Sequence, residues 1–300
     1  MISPFFTTDD GDVILHASSE SGSTHDFRVH RLILCLGSPV FKDMFSFPQP
    51  PDQSQNEQLG IPTINVPDSP EVLDAILRFI CPGAELPKFT DLSALPALLS
   101  GADKYSIPSM SLVLRNTLKT FIPAESFRVY IIARRFGFLE EAKAAAMTST
   151  WEIISRNVHE KEVRHISSVE LYRLVWFVIE REASGLSKIG NFVALDPHGY
   201  YNPCPVEEHW SGSTEFYVEL GKRLRCLFMQ NPCVQSDGFI RILDMLPDPP
   251  LGCEPGCSNE EGEIECPLQP SFIRVGLNGL VIQLHQVSCE LLEEAFEKGF

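Results

Sequence analysis

Cysteine and histidine residues in the last third of the chain are the ones whose spacing could bind a metal. The candidate ligands are Cys204, His209, Cys233, Cys253, Cys257 and Cys266. Structural zinc sites need four such ligands in a tetrahedron and usually present them as tight pairs. In Cys253-x3-Cys257-x8-Cys266 only the first pair is close to that spacing. Two interpretations stay open: a zinc-stabilised C-terminal domain that binds a ligand, or free thiols in a loop.

The motifs of common catalytic machinery are missing from the sequence. There is no Gly-x-Ser-x-Gly elbow, phosphate-binding loop, dinucleotide fingerprint or His-Glu-x-x-His metal helix. Glu207-Glu208-His209 and Trp210-Ser211-Gly212-Ser213 carry reactive side chains, but neither has the spacing that a mechanism requires. We therefore predict a protein that is not an enzyme and uses no cofactor.

Composition limits the class of protein and its partners. A chain of 300 residues with 44% hydrophobic content can form about two packed domains. Its net charge of −16 repels nucleic acid phosphates, so we expect no direct nucleic acid partner. The sequence has no signal peptide or long apolar run, and its nine cysteines do not form a disulfide framework. These features predict a cytoplasmic or nuclear protein without a membrane partner.

The elements that must position a binding surface begin in residues 12–45. A β-prone run at 13–15 precedes a Ser/Gly-rich turn, after which Phe27 and Val29 alternate with polar residues. This pattern predicts a β-hairpin. Ser38-Pro39 then predicts a helix start, because the hydroxyl can cap the helix and proline needs no N–H partner at the first position. One face of this helix carries Val40, Phe41, Met44 and Phe45.

Further motifs follow in a fixed order. They are Ile64-x-Val66-x-Asp68, a helix at 72–80 that ends in Cys81-Pro82-Gly83, and Leu98-Leu99-x-x-Ala102-Asp103-Lys104-Tyr105-x-Ile107-Pro108. Together with the hairpin and the Ser38-Pro39-Val40-Phe41 helix, this series closely resembles BTB/POZ domains over residues 12–121. The resemblance implies an α+β fold in which a small mixed sheet is wrapped by helices.

The resemblance also implies partners. BTB domains associate with themselves or with a cullin scaffold, and the acid that matches Asp12 lies at or near the dimer interface in the family. In members that recruit a cullin, the loop that corresponds to residues 46–63 carries a hydrophobic residue followed two positions later by an acid. Here Phe47-Pro48-Gln49 ends in glutamine. The residues that we assign to a partner or dimer interface are Asp12, Val40, Phe41, Met44, Phe45, Phe47 and Tyr105.

Behind the BTB domain the pattern is mainly helical. Residues 122–182 resemble the helical extension of cullin adaptors, with the alternative that these helices only shield the BTB core. Within them Ser167-x-x-Glu170 predicts a capping box. For the mixed region 183–300 we expect an acidic, Pro/Cys-rich loop at 244–270 and a β-hairpin about Asn278-Gly279 within 272–284. An amphipathic helix at 289–300 completes the prediction.

These features together predict a module for protein–protein interaction. One form is an adaptor that brings an unidentified protein substrate to a cullin-type ubiquitin ligase. The alternative is a BTB scaffold that forms homo-oligomers, such as a homodimer, and acts in transcription through partners without a link to a ligase.

Overall fold

The computed structural model describes residues 6, 10–19, 22, 24–47, 61–156, 163–194, 210–230 and 270–296. At 194, 210–217 and 270–276 only the backbone is described. The chain divides into two units. The first unit comprises Met1–Glu125 and Phe136–Glu141, and the second comprises Ser126–Arg135 and Ala142–Phe300.

A small mixed sheet opens the first unit. Strand β1 (Val13–Ser18) pairs antiparallel with β2 (Thr24–Val29) and parallel with β3 (Thr63–Val66), so the order is β2-β1-β3. Leu15 lies between Phe27 and Ile64 in this register. The predicted hairpin is confirmed, because alternation buries Phe27 and Val29 and leaves the intervening side chains toward solvent.

Helices wrap the sheet of the first unit. They are α1 (Arg31–Gly37), α2 (Pro39–Ser46), α3 (Pro70–Ile80), α4 (Leu95–Lys104) and α5 (Pro108–Thr120). The predicted cap at Ser38 is present, because its Oγ accepts from the Phe41 N–H at 3.2 Å. Ser69 caps α3 in the same way, with its Oγ accepting from the Val72 N–H at 3.4 Å. This mixed sheet with its surrounding helices confirms the α+β fold expected for the N-terminal part.

The next helix passes from the first unit to the second. Helix α6 (Ile122–Arg135) contains a non-helical residue, Glu125, with φ −135° and ψ 42°, and the first unit's long segment ends at this residue. Gly137 follows the helix with φ +72°, a conformation that glycine adopts at little cost and that is typical of the residue after a helix end. Helix α7 (Leu139–Thr148) comes next.

Helices form most of the described part of the second unit. They are α8 (Trp151–Arg156), α9 (Ser168–Ala194), α10 (Trp210–Gln230) and α11 (Pro270–Phe296). The predicted capping box is confirmed, because the Glu170 N–H donates to Ser167 Oγ at 3.1 Å and the Ser167 N–H donates to Glu170 Oε2 at 3.2 Å. Helices α9, α10 and α11 share a core of Ile189, Leu220, Leu224, Phe228, Leu277, Leu280, Val281 and Leu284.

Two charged residues of α9 hold the junction between α7 and α8. The guanidinium of Arg181 is 1% exposed and donates to the carbonyl oxygens of Ala146, Met147 and Ser149. Its neighbour Glu182 accepts the first N–H of α8, from Trp151, at 2.9 Å. A cation therefore lies at the carbonyl end of one helix and an anion at the amide end of the next, as the helix dipoles favour.

The hairpin predicted at 272–284 is wrong. These residues lie inside α11, where the buried positions Leu277, Val281 and Leu284 recur at helical spacing. The predicted boundary at 182/183 falls within α9, and the division into 12–121, 122–182 and 183–300 stays a prediction. The loop at 244–270 lies outside the described residues except for its last residue.

Candidate protein-interaction surface

Helix α1 presents apolar side chains to solvent. Leu32 is 69% exposed and Leu36 is 80% exposed, while Leu34 is fully buried. Leu32 and Leu36 share one side because residues four positions apart are neighbours on a helix. Asp12 lies at the start of this helix, where its Oδ1 accepts the Arg31 N–H at 2.7 Å. A carboxylate in this position satisfies a free amide and suits the positive end of the helix dipole.

Helix α2 extends the surface and is held by aromatic stacking. The Phe41 ring is fully buried and stacks on Tyr105 at 4.6 Å and on Phe45 at 6.4 Å between ring centroids. The Arg31 guanidinium lies 4.8 Å from the centroid of the Phe45 ring, which ties α1 to α2. At the end of α2, Phe47 is 68% exposed.

Tyr105 anchors a polar network below these rings. Its hydroxyl donates to Asp68 Oδ2, which also accepts from Lys104 Nζ at 2.6 Å. Its carbonyl oxygen accepts from Ser38 Oγ at 2.6 Å. Burial, together with the hydrogen bond to Asp68 and the charge of that carboxylate, raises the pKa of the Tyr105 phenol above its usual range. The hydroxyl therefore stays protonated and remains a donor.

The structure brings the predicted interface residues into one region but gives them different environments. Phe41 and Tyr105 lie in the core, Val40, Met44 and Phe45 are partly buried, and Asp12 and Phe47 are exposed. Whether these residues contact a partner stays a prediction. Leu32 and Leu36 are exposed members of the same surface that the sequence analysis did not single out. Their i, i+4 spacing, with Leu34 on the opposite side, is the signal that identifies them.

We call the exposed side of α1 with the end of α2 the α1–α2 surface, defined by Asp12, Leu32, Leu36 and Phe47. The sequence of residues 5–122, which contains this surface, matches the sequence model of the BTB/POZ domain family. This part of the chain is a BTB/POZ domain. The BTB/POZ domain is a protein-interaction domain, and the α1–α2 surface lies within it.

A curated mouse protein carries a related sequence. TD and POZ domain-containing protein 5 from Mus musculus is 28% identical over 123 residues. The match covers 41% of this chain and 34% of that protein. The chain thus spans about a third of the length of the curated relative that it matches.

A buried carboxylate joins helix α5 of the BTB/POZ domain to the start of α7. Glu141 is 1% exposed. It accepts two hydrogen bonds from Arg115 Nη2, at 3.0 and 2.9 Å, and forms an ion pair with Lys119 Nζ at 3.2 Å. Burial alone would raise the pKa of Glu141, but the hydrogen bonds from Arg115, a backbone N–H and Lys119 hold it below its usual range. The carboxylate is therefore ionised at neutral pH.

The structure also bears on the predictions about metal binding and about membrane-spanning helices. Among the described residues no group of three or more His, Cys, Asp and Glu side chains could hold a metal ion. All six candidate zinc ligands, Cys204, His209, Cys233, Cys253, Cys257 and Cys266, lie outside those residues, so the zinc alternative stays a prediction. In the described part of the chain no helix is both long and apolar enough to cross a membrane.

Proposed function

We propose that this chain is a non-enzymatic adaptor whose BTB/POZ domain binds a protein partner through the α1–α2 surface. The observation that carries the proposal is the exposure of Leu32, Leu36 and Phe47 on one BTB/POZ domain. Large apolar side chains in solvent mark interaction sites when they lie together on a surface. The net charge of −16 makes a protein a better partner than a nucleic acid.

The first partner that we propose is a cullin-type scaffold. Phe47 supports it, because an exposed hydrophobic residue follows α2 where the cullin adaptors of the family carry one. The helices that follow the BTB/POZ domain also support it. An adaptor of this kind would hold a captured protein substrate near the ubiquitin-transfer machinery and raise its effective concentration. No residue of the chain would take part in covalent chemistry.

A calorimetric titration of the full-length chain with the N-terminal part of a cullin scaffold tests this proposal. We expect saturable binding with one scaffold per BTB/POZ domain. Phe47→Glu should weaken this binding, because a charge replaces an exposed apolar contact. Ile282→Glu is the matched control, since Ile282 is 66% exposed on α11 in the second unit. A folded chain that gives no heat and no complex would exclude the cullin scaffold.

Self-association is the second function, and a separate observation favours it. Asp12 resembles the acid found near the dimer interface of the family, and here it contacts the start of α1, which carries Leu32 and Leu36. This supports a homo-oligomeric scaffold built through α1. Sedimentation of the wild-type chain and of the Leu32→Glu/Leu36→Glu variant tests it. We expect a lower average molecular mass in solution for the variant than for the wild type, because the variant no longer associates. Equal average masses would exclude self-association through this helix.

A further inference from the structure

Helix α11 carries a histidine and a cysteine one turn apart on its outer side. His285 is exposed and Cys289 is partly buried. The Sγ atom of Cys289 lies 3.6 Å from Nε2 of His285, so the two atoms that can bind a metal are adjacent. The opposite side of the helix, with Leu284 and Ser288, is buried. The helix therefore holds a thiol and an imidazole together at its surface, because residues four positions apart are neighbours.

The distance between these two atoms is that between two ligands of one zinc ion. Zinc binds cysteine sulfur at about 2.3 Å and histidine nitrogen at about 2.0 Å, and tetrahedral angles then separate sulfur from nitrogen by about 3.5 Å. The contact between Cys289 and His285 has nearly this length without a metal. The two side chains can therefore bind an ion with little rearrangement.

The chemistry of the pair selects the class of metal. Thiolate is a soft ligand and imidazole suits zinc, whereas calcium and magnesium prefer oxygen ligands. On binding, the Cys289 thiol releases its proton to solvent and the sulfur lone pair goes to the metal. The neutral imidazole of His285 supplies the lone pair of Nε2. Water occupies the positions that the two side chains leave open.

Acidic residues surround the pair. Residues 275–296 include Glu290, Glu293 and Glu294 but no lysine or arginine. The Glu290 carboxylate, one residue from Cys289, accepts from Gln286 Nε2 at 2.9 Å. Negative charges near the site attract a divalent cation, whereas they repel the anion that an activated thiol becomes. The local charge thus suits a bound metal better than a free nucleophilic cysteine.

We propose that His285 and Cys289 form a zinc-binding site. Among the described residues no third His, Cys, Asp or Glu joins them in a group that could hold the ion. The site is therefore open and exchangeable, and it binds zinc more weakly than a structural site with four protein ligands. It is separate from the α1–α2 surface, because α11 belongs to the second unit. It is also separate from the six candidate ligands of the sequence analysis, which include neither residue.

Alkylation of Cys289 in the full-length chain tests the site, because a metal-bound thiolate is shielded from iodoacetamide. The chain is first treated with a chelator and then labelled for fixed times at increasing zinc concentrations, and the labelled peptides are measured by mass spectrometry. We expect saturating zinc to slow the labelling of Cys289 at least about tenfold. Cys226 is the internal reference, since it is exposed on α10 and has no histidine within four positions. Its labelling rate should not change.

A variant of the histidine shows whether the pair acts together. His285→Gln keeps Cys289 and removes one ligand, so half-maximal protection should need at least about tenfold more zinc. Gln283→Ala is the matched control, because Gln283 is exposed on the same helix. Its protection should equal that of the wild type. Reading one named cysteine keeps the result independent of zinc bound anywhere else in the chain.

Calorimetric titration with zinc gives a second readout. Cys289→Ser should bind one zinc ion fewer per chain than the wild type. Circular dichroism confirms that each variant is folded, and if His285→Gln is not, this titration decides alone. Equal stoichiometries overturn the proposal.

Three labelling results would also overturn the zinc site. They are labelling of Cys289 that zinc does not slow, equal protection of Cys226, and unchanged protection in His285→Gln. If zinc has no effect while His285→Gln slows the labelling of Cys289, the imidazole activates a free thiol instead, and the pair is not a metal site.

Discussion

At the scale of single residues, Tyr105 combines an apolar contact with a polar one. Its ring stacks on Phe41 and its hydroxyl donates to Asp68, so one side chain supports both α2 and the segment after β3. The raised pKa of the phenol keeps the donor proton in place at neutral pH. Tyr105 thus stabilises helix α2, which carries part of the α1–α2 surface.

Tyr105→Phe should lower the free energy of unfolding by about 1 to 2 kcal/mol. Phenylalanine keeps the stacking on Phe41 but removes one donor to a carboxylate that retains only Lys104 as a partner among these contacts. Urea unfolding measures the change. Tyr172→Phe is the control, because Tyr172 is 66% exposed and should lose nothing measurable. Equal stabilities of the two variants would contradict the role given to the Tyr105 hydroxyl.

Cys81 should react slowly with alkylating agents. Burial raises the pKa of its thiol to about 11, so only about one molecule in three thousand carries the thiolate at pH 7.5. Cys226 is exposed on α10 and serves as the internal reference. Timed iodoacetamide labelling followed by peptide mass spectrometry should show labelling of Cys81 at least about tenfold slower. Comparable rates at both cysteines would show that the Cys81 thiol is accessible and ionised.

At the scale of helices, Arg181 links elements that are distant in the sequence. Arg181→Met should lower the free energy of unfolding by about 3 kcal/mol, because it leaves the carbonyl oxygens of Ala146, Met147 and Ser149 without their buried donor. Denaturant unfolding followed by circular dichroism measures this loss. The control Arg223→Met breaks an ion pair with Glu219 on the surface of α10 and should have little effect. A small effect of Arg181→Met would mean that water replaces the guanidinium.

Gly279 distinguishes a helix from a hairpin at 272–284. In α11 an added methyl group at Gly279 meets nothing within 4 Å, so Gly279→Ala should raise the free energy of unfolding by about 0.5 to 1 kcal/mol. In a hairpin turn the same change would destabilise the protein, since glycine there needs a positive φ. Gly185→Ala is the contrasting variant, because its Cβ would lie 2.1 Å from Cζ of Phe228. Thermal melts should move in opposite directions for the two variants.

The error at α11 has a physical cause. Asn278-Gly279 favours a tight turn when flanking strands can pair, and that local preference led to the hairpin prediction. In the folded protein the burial of Leu277, Val281 and Leu284 against α9 and α10 outweighs it. By contrast, the starts of α2 and α9 could be predicted, because a cap depends on residues within one turn of the chain.

The exposed residues of the α1–α2 surface were harder to predict than the helices and strands that carry them. The sequence identifies the apolar residues of α1 and α2, but their burial depends on what packs above them. Phe41 is enclosed because Tyr105, which lies 64 positions further along the sequence, stacks on it. Leu32 and Leu36 are exposed because Leu34 faces the core instead. The spacing of Leu32, Leu34 and Leu36 is a local signal, whereas the contact of Phe41 with Tyr105 is not specified by local spacing.

At the scale of the whole molecule, acid unfolding should report on Glu141. The pKa of this carboxyl is lowered in the folded protein, so its contribution is complete above the pKa of the unfolded chain and is lost as the pH falls below about 4. Glu141→Gln should therefore lower the free energy of unfolding most at pH 7 and progressively less as the solution becomes more acidic. Urea unfolding at several pH values measures the difference, with the exposed neighbour Glu140→Gln as control. A loss of stability that does not change with pH would mean that the charge of Glu141 does not contribute to stability.

The path of the chain between its two units bears on how such a protein can be inherited. Phe136–Glu141 belongs with Met1–Glu125, although Ser126–Arg135, which belongs with the second unit, lies between them in sequence. A gene break after residue 125 would separate Arg115 and Lys119 from Glu141. A break after residue 141 would instead separate Tyr130 from Phe296, whose rings lie 6.0 Å apart. Recombination at either point would transfer one unit incomplete, which favours inheritance of the BTB/POZ domain and its following helices as one piece.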